Sequence, residues 1–287
     1  MSIKIISDSA CDLSEEIINE YGIEILPIVV IKDDIEYLDK ISIEPTEVYE
    51  GMRNGQVFKT AQIPPAIFME SFEDIAKNGE SAIYIAFSSG LSGTYNTSMS
   101  VKASIEEEYE DLDLDIVDTK AASGGFGLLV LKAAQMAKEG KSKEEILTTI
   151  DFYKEHMEHI FSVDNIEYLF KGGRVTKTQA FVGGLLNIKP ILNVEDGKLV
   201  PIDKARGRNK AFKTMLDIIE ERSKSTNLKE QVFGISHGDD LEGALKIKEL
   251  ISERFGVDKF VVNIIGASIG AHSGPGTIAL FFLNKDI

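Results

Sequence analysis

The sequence predicts an α/β protein of two domains, with largely parallel or mixed sheets flanked by helices. Short apolar, β-branched runs alternate with helix-length segments along most of the chain, a pattern typical of βαβ units with both sheet faces covered. The chain has 287 residues, which exceeds the size that one hydrophobic core usually serves. We therefore expect one domain over residues 1–160 and a second over residues 161–287.

The N-terminal segment predicts a strand, a capped helix and a second strand. Ile3 to Ile6 is apolar and β-branched, so we expect a buried strand there. Asp12 and Glu15 have the spacing of a capping box, which predicts a helix from Leu13 to Tyr21. The run from Ile25 to Ile31 is again β-branched and predicts a second strand.

A hydroxyl-rich segment follows the next apolar run. Residues 83–87 predict a strand, and Ser88-Ser89-Gly90-Leu91-Ser92-Gly93-Thr94 comes directly after it, at the start of a helix. Short hydroxyl donors, glycines and a helix N-terminus together suit a bound anion. A solvated loop is the alternative. Asp8, Ser9 and Asp12 follow the first strand and share the predicted rim, either as a carboxylate site or as a hydrogen-bonded turn.

Thr60 is a further candidate for a ligand contact. It precedes Pro64 and Pro65, which predict the start of a helix from Ala66 to Ala76 and place Thr60 in an extended connector. Its hydroxyl is then free to face a ligand, or it bonds the local backbone as a Thr in this position often does.

The central segment predicts three further elements before the domain boundary. They are a strand at Leu114 to Val117, a helix at Gly127 to Lys138 and a helix at Ser142 to His159. His156 and His159 have a spacing that suits two metal ligands, but no third ligand has a recognisable spacing and no HExxH motif is present. We therefore expect no metal site and interpret both as solvated or interfacial histidines.

The C-terminal half predicts a hairpin, another βαβ unit and a last strand. The hairpin spans Lys189 to Asp203 and turns at residues 195–197. The unit comprises Gln231 to Ser236, Leu241 to Phe255 and Lys259 to Ile265, and the last strand is Ile278 to Leu283.

Three segments of this half hold candidates for a ligand site. Arg174 follows a glycine pair, and the glycine-split apolar run from Ala180 to Ile188 permits close packing or a flexible wall around an apolar ligand. Arg206 and Arg208 belong to a dense basic cluster, which is either an exposed helix start or a docking or phosphate site. His272 is expected in a glycine-dense loop, either as a structural histidine or as a ligand contact.

Composition argues against several classes of function. The formal net charge is -16 and the pI is about 4.8, which argues against a nucleic-acid partner because phosphate neutralisation needs clustered Lys and Arg. The single cysteine, Cys11, excludes an intrachain disulfide and fits a reducing compartment. We see no signal peptide and no run of ~18 apolar residues. We expect a soluble cytoplasmic protein that needs no cofactor.

Four motifs occur together along the chain. They are Lys59-Thr60-Ala61-Gln62, SSGLSGTY at residues 88–95, Gly172-Gly173-Arg174, and IGAHSGPG at residues 269–276. With the opening SDSACDLS at residues 7–14, this combination resembles the DegV family of fatty-acid-binding proteins, and the resemblance runs along nearly the whole chain.

The resemblance implies a two-domain α/β fold that holds one long-chain fatty acid in a tunnel between the domains. It also implies a function, because some members are the lipid-binding subunit of a bacterial two-component fatty acid kinase. There a separate ATP-binding kinase subunit converts the carboxylate to acyl phosphate for phospholipid synthesis. The chain would then not be catalytic alone. Its partners would be the fatty acid, the kinase subunit and, transiently, a membrane surface for lipid exchange.

Carried over to this sequence, the resemblance places the fatty acid carboxylate on Thr60, Ser92 and His272. It implies secondary contacts to the head group, a phosphate or a partner for Ser88, Ser89, Gly93, Arg174, Arg206 and Arg208. The family usually has Ser after the Thr and Pro after the Gln. This chain has Ala61 and Ile63 there, so the second hydroxyl of that motif is absent.

Two other functions stay open from the sequence. The protein stores or transports lipid without a kinase, or it is a serine hydrolase. Ser92, then Asp239 or Asp240, then His272 follow the chain order of α/β-hydrolases, although position 94 is Thr and the GxSxG motif is not met.

Overall fold

The computed structural model describes residues 3–175 and 187–286 of the chain. Its strands are β1 (Lys4–Asp8), β2 (Glu24–Leu26), β3 (Val29–Lys32), β4 (Ile35–Leu38), β5 (Phe58–Ala61), β6 (Ser81–Ala86), β7 (Asp113–Asp118), β8 (Met157–Ser162), β9 (Ile188–Glu195), β10 (Lys198–Arg206), β11 (Phe233–His237), β12 (Phe260–Ile264) and β13 (Ile278–Leu283). Its helices are α1 (Glu15–Tyr21), α2 (Pro45–Arg53), α3 (Pro65–Asn78), α4 (Thr94–Glu106), α5 (Ser123–Lys138), α6 (Lys143–His156), α7 (Glu167–Lys171), α8 (Arg208–Arg222), α9 (Leu241–Phe255) and α10 (Ala267–Ser273). None of these helices is long and apolar enough to cross a membrane. Most of the glycine-split run predicted at Ala180 to Ile188 lies outside the described residues.

A four-stranded parallel sheet, in the order β2-β1-β6-β7, forms the N-terminal layer. Its loops after β1 and β6 meet, because the Asp8 carboxylate at the end of β1 accepts hydrogen bonds from the Phe87 N–H at 2.8 Å and the Tyr84 hydroxyl at 3.0 Å. The predicted βαβ architecture and the shared rim are therefore confirmed for this layer.

A six-stranded mixed sheet, in the order β10-β9-β8-β13-β11-β12, forms the C-terminal layer. Strands β11 and β12 are parallel and joined by α9, whereas the other neighbours pair antiparallel. The predicted hairpin is confirmed. Strands β9 and β10 meet at Asp196 and Gly197, whose φ angles of 46° and 74° are the positive values that a two-residue hairpin turn favours.

The predicted domain boundary at residue 160 falls inside strand β8, which pairs with β13 from Met157 onward. Among the described residues, one large buried apolar cluster is built from residues 5–150 and another from residues 160–282. The division into domains of residues 1–160 and 161–287 stays a prediction.

The sequence pattern does not predict the three-stranded antiparallel sheet β4-β3-β5. The run predicted as one strand at Ile25 to Ile31 is divided at Pro27, so that β2 pairs with β1 while β3 pairs with β4 and β5. Pro27 has no N–H to donate to a sheet ladder, which explains the break. Thr60, expected in an extended connector, lies in β5 opposite Val30.

Asp12 does not cap the first helix, so the predicted capping box is wrong. The N-cap of α1 is Ser14, whose hydroxyl accepts from the N–H of the residue three positions on. Asp12 takes a left-handed conformation with φ of 52°, and its buried carboxylate accepts hydrogen bonds from the Ser123 hydroxyl and the Gly266 N–H. These tertiary contacts replace the local cap.

The two histidines predicted on one helix lie on different elements. Helix α6 ends at His156, which hydrogen-bonds Asn284, whereas His159 is buried in β8 and bonds the Met157 carbonyl through Nδ1. The side chains therefore do not form a pair of ligands. Among the described residues, no group of three or more His, Cys, Asp and Glu side chains is placed to hold a metal ion.

His272 lies on helix α10, where the sequence predicts a loop. Gly266 and Gly274 flank this helix at its two ends. Gly270, between them, packs so closely on Tyr49 that a Cβ there would lie 2.6 Å from the phenol oxygen. The glycines of this segment thus allow a short helix to pack against α2.

Candidate functional site

A cavity of about 160 Å³ lies between the carboxyl ends of the parallel strands and the six-stranded sheet. It is roughly ten times the space that one water molecule needs. Most of its walls are aliphatic and aromatic, contributed by Ile28, Phe87, Leu91, Phe161, Leu169, Val194, Leu199, Ile265, Ile269 and Phe281. Such walls suit an apolar ligand held by a few polar groups.

Polar side chains from distant parts of the chain meet at this cavity. The Thr60 hydroxyl lies 2.7 Å from Nε2 of His272. Arg174 donates from Nε to the Leu91 carbonyl at 3.3 Å, and Ser92 is the next residue of that loop. Thr60, Ser92, Arg174 and His272 all line the cavity. The structure therefore brings together the three residues expected at the carboxylate and one of the expected arginines.

Two buried carboxylates hold the start of the helix that carries His272. Asp12 accepts from the Gly266 N–H at 2.8 Å, and Asp39 accepts from the next two N–H groups at 3.3 and 3.2 Å. The first N–H groups of a helix lack partners within the helix, and a carboxylate satisfies them while matching the helix dipole. These contacts position α10, and with it His272, against the N-terminal part of the chain.

Burial and the neighbouring Arg174 lower the pKa of His272 to about 4, so its ring is neutral at neutral pH. Burial also lowers the pKa of Arg174, whose guanidinium still remains charged. A neutral imidazole carries one N–H. When that proton is on Nε2, His272 donates to Thr60 and leaves the Thr60 hydrogen free for an acceptor in the cavity. The Thr60 hydroxyl can therefore donate to a carboxylate, while the neutral His272 ring supports it by donating to its oxygen.

The absence of a side chain at residue 172 permits this position of the ring. A Cβ on Gly172 would lie 2.2 Å from Nδ1 of His272, which is closer than such atoms approach in proteins. The glycine pair before Arg174 therefore has a steric role beside His272.

The hydroxyls of the loop after β6 face different groups. Ser92 lines the cavity. Ser88 is buried and donates to the Gly197 carbonyl at 2.7 Å, whereas Ser89 donates to the Asp118 carboxylate at 2.5 Å. These bonds tie the loop to the β9–β10 turn and to the end of β7. A head-group contact for Ser88 and Ser89 stays a prediction that this geometry does not favour.

The three arginines expected at a phosphate or partner surface lie in different places. Arg174 lines the cavity. Arg206 is exposed at the end of β10, and Arg208 begins α8, where it pairs with Asp240 and lies over the Phe212 ring. Arg206 and Arg208 do not line the cavity, so their positions allow contact with a partner surface and not with a ligand inside.

The residues of the hydrolase alternative are not arranged as a triad. The Ser92 hydroxyl lies 2.9 Å from that of Thr94. Asp239 and Asp240 are each paired with an arginine, and none of the carboxylates in the described part of the chain hydrogen-bonds His272. A triad needs a histidine bonded to both nucleophile and acid, so the geometry does not support hydrolysis.

Sequence reasoning missed three residues that contribute to this site. Asp39 holds α10 but follows no motif. Gln62 lines the cavity beside Gly93, where a Cβ would lie 2.1 Å from Oε1 of Gln62. His159, interpreted as solvated or interfacial, lines the cavity, and burial lowers its pKa to about 4. The residues from Phe161 to Val163 indicate a strand there, but they do not reveal which face carries His159.

Comparison with known proteins assigns the family. The model of the DegV family, a family of uncharacterised proteins, matches residues 2–285. The chain belongs to the DegV family. A DegV domain-containing protein of Clostridium perfringens is 42% identical over 282 residues, which cover 97% of this chain and 96% of that protein.

Solved structures of fatty-acid-binding proteins share the fold. A DegV family protein from Thermus thermophilus, described for its fatty acid binding, has 29% identity and a TM-score of 0.88 over 98% of this chain and 99% of its own. A stearic acid-binding protein from Eubacterium ventriosum has 26% identity and a TM-score of 0.89 over 97% of each chain. The predicted resemblance and the α/β fold are therefore confirmed.

Proposed function

We propose that this DegV family protein binds one long-chain fatty acid, with the carboxyl end in the cavity, and presents the carboxylate to a separate ATP-dependent kinase. The observation that carries the proposal is an apolar cavity with the Thr60–His272 pair, 2.7 Å apart, in its wall. The fatty acid ligands of the Thermus and Eubacterium relatives support the same ligand class here.

The hydrocarbon tail supplies the affinity and the polar residues set the orientation. Burying ~14 methylenes at ~0.8 kcal/mol each contributes about 11 kcal/mol before entropy is counted. A hydrogen bond to a charged head group contributes only ~1.5–3 kcal/mol. Thr60, Ser92 and His272 therefore select where the carboxylate lies along the cavity.

Neutral donors suit a carboxylate that must still react. In the proposed reaction a carboxylate oxygen forms a bond to the γ-phosphorus of ATP, the bond to the bridging oxygen breaks, and ADP leaves. The partner kinase supplies the ATP. A bidentate arginine pair would hold the carboxylate more tightly than hydroxyls and a neutral imidazole do. We assign contact with the developing phosphate to Arg174, which is half-buried in the same wall and donates to the Leu91 and Gly172 carbonyls.

Native mass spectrometry of the purified protein tests the binding. We expect a mass increased by that of one long-chain fatty acid, which extraction into organic solvent releases for identification. An apo mass together with no uptake of added hexadecanoate would refute fatty acid binding.

Reconstitution with the cognate kinase tests the presentation. Ser92→Ala and His272→Ala should each lower acyl phosphate formation about tenfold or more. The first removes a donor to the charged head group, and the second removes the ring that leaves the Thr60 hydrogen free for the carboxylate. Ser104→Ala, on the exposed face of α4, is the matched control and should be unchanged. A lipid-loaded protein whose bound fatty acid the kinase does not phosphorylate would support storage or transport instead.

A further inference from the structure

The cavity contains a hydroxyl that the proposed carboxylate site does not use. Ser268 lines the cavity and is only 4% exposed. Its Oγ has no hydrogen-bond partner among the described residues. A buried hydroxyl without a partner is costly, so a ligand group that hydrogen-bonds Ser268 would gain the free energy of satisfying it.

Two other hydroxyls of the cavity wall have hydrogen-bond partners. Ser123 donates to a buried carboxylate, and Thr277 donates to backbone carbonyls at 3.0 and 2.9 Å. The Oγ of Ser273, which also lines the cavity, has no partner among the described residues, like that of Ser268. Of the two, Ser268 is the one that lies one helical turn from His272 on α10.

Ser268 lies on the same helix face as His272. The two residues are four positions apart on α10, so they are neighbours along one face, separated by about one turn or ~5.4 Å. The Ser268 N–H is bound by Asp39 at 3.2 Å, which fixes its backbone. A chain whose carboxylate is held at His272 would pass Ser268 a few carbons further on.

We propose that Ser268 forms a second polar subsite, which binds an oxygen carried near the carboxyl end of the acyl chain. The ligand class is then a hydroxylated long-chain fatty acid. A serine hydroxyl both donates and accepts, so it pairs with a ligand hydroxyl in either direction. This inference rests on the proposed fatty acid site and adds to it a preference among fatty acids.

A comparison of three ligands tests the subsite on the wild-type protein. The probes are hexadecanoate, β-hydroxyhexadecanoate and ω-hydroxyhexadecanoate, with Kd measured by isothermal titration calorimetry. We expect the β-hydroxy acid to bind about fivefold more tightly than hexadecanoate, the size of one neutral hydrogen bond. The ω-hydroxy acid should show no such gain, because its hydroxyl is remote from Ser268. Equal or weaker binding of the β-hydroxy acid would overturn the proposal.

Substitution then assigns the preference to the residue. Ser268→Ala should abolish the fivefold preference for the β-hydroxy acid over hexadecanoate, and Ser104→Ala should keep the preference. A preference that survives in Ser268→Ala would refute the assignment. If hexadecanoate binds and the preference is absent, only the subsite fails. If none of the three acids binds, the proposed fatty acid function fails as well.

Discussion

Replacing Thr60 by Val tests the carboxylate site directly, because it removes a hydroxyl and keeps the shape of the side chain. Thr60 lies in β5, where a β-branched residue remains favourable, so we expect the fold to persist. The lost hydroxyl is the partner of His272 Nε2 at 2.7 Å and, in the proposed complex, a donor to the carboxylate.

The expected loss follows from that hydrogen bond. A hydrogen bond to a charged group is worth ~1.5–3 kcal/mol, which corresponds to a rise of about 10- to 150-fold in the Kd of hexadecanoate. Calorimetric titration of wild type and Thr60→Val at neutral pH measures it. Methyl hexadecanoate, which has the tail without the charge, should lose much less affinity.

A matched control separates the site from the general effect of the substitution. Thr149→Val removes a hydroxyl that donates to the Glu145 carbonyl on α6, outside the cavity, and should leave the Kd unchanged. An unchanged Kd for hexadecanoate in Thr60→Val, with the variant folded by circular dichroism, would refute the carboxylate role of Thr60.

Two further substitutions test the surroundings of His272. Gly172→Ala places a Cβ against Nδ1 of His272, so the ring must move. The Kd of hexadecanoate should then rise about tenfold, the effect of weakening one hydrogen bond to a charged group. An unchanged Kd would contradict the steric role of Gly172. Burial raises the pKa of Asp12 from 3.8 to about 7. The native protein therefore binds more protons than the unfolded chain between those values, and the free energy of unfolding falls as the pH rises through that window. Asp12→Asn removes this contribution, so its melting temperature should depend less steeply on pH, as thermal denaturation from about pH 4 to 7 will measure. Parallel pH profiles would contradict it. Asp8, whose pKa burial also raises to about 7, keeps part of the slope in both proteins.

The local sequence pattern was sufficient to predict those elements whose formation depends mainly on their own residues. The limits of α9 coincide with the prediction of Leu241 to Phe255, because its apolar periodicity and its capping Asp240 lie within the segment. The turn at Asp196 and Gly197 was predictable for the same reason. The division at Pro27 was not, because which sheet each half joins depends on residues far along the chain.

The candidate site could be found through its motifs but not built from them. Thr60, Ser92 and His272 were expected from the resemblance, and the structure brings them to one cavity. Asp39 holds α10 by accepting hydrogen bonds from two residues that follow it by 228 and 229 positions in the chain. No local pattern indicates such a contact. The same holds for His159, whose strand neighbours and not its spacing from His156 decide where it points.

The sequence by itself determined the fold class, the absence of a disulfide framework, the motif residues and the family that they resemble. Each of these depends on composition, periodicity or short spacings, which are properties of the chain. The tertiary structure decided which hydroxyls face the cavity, why residue 172 lacks a side chain and why Asp12 does not cap α1. The loop after β6 shows the difference. Its serines are chemically alike, yet the Ser88 and Ser89 hydroxyls donate to the Gly197 carbonyl and the Asp118 carboxylate, whereas Ser92 lines the cavity. Tertiary packing determines which groups come close enough to hydrogen-bond, and it brings together residues that are far apart in the sequence.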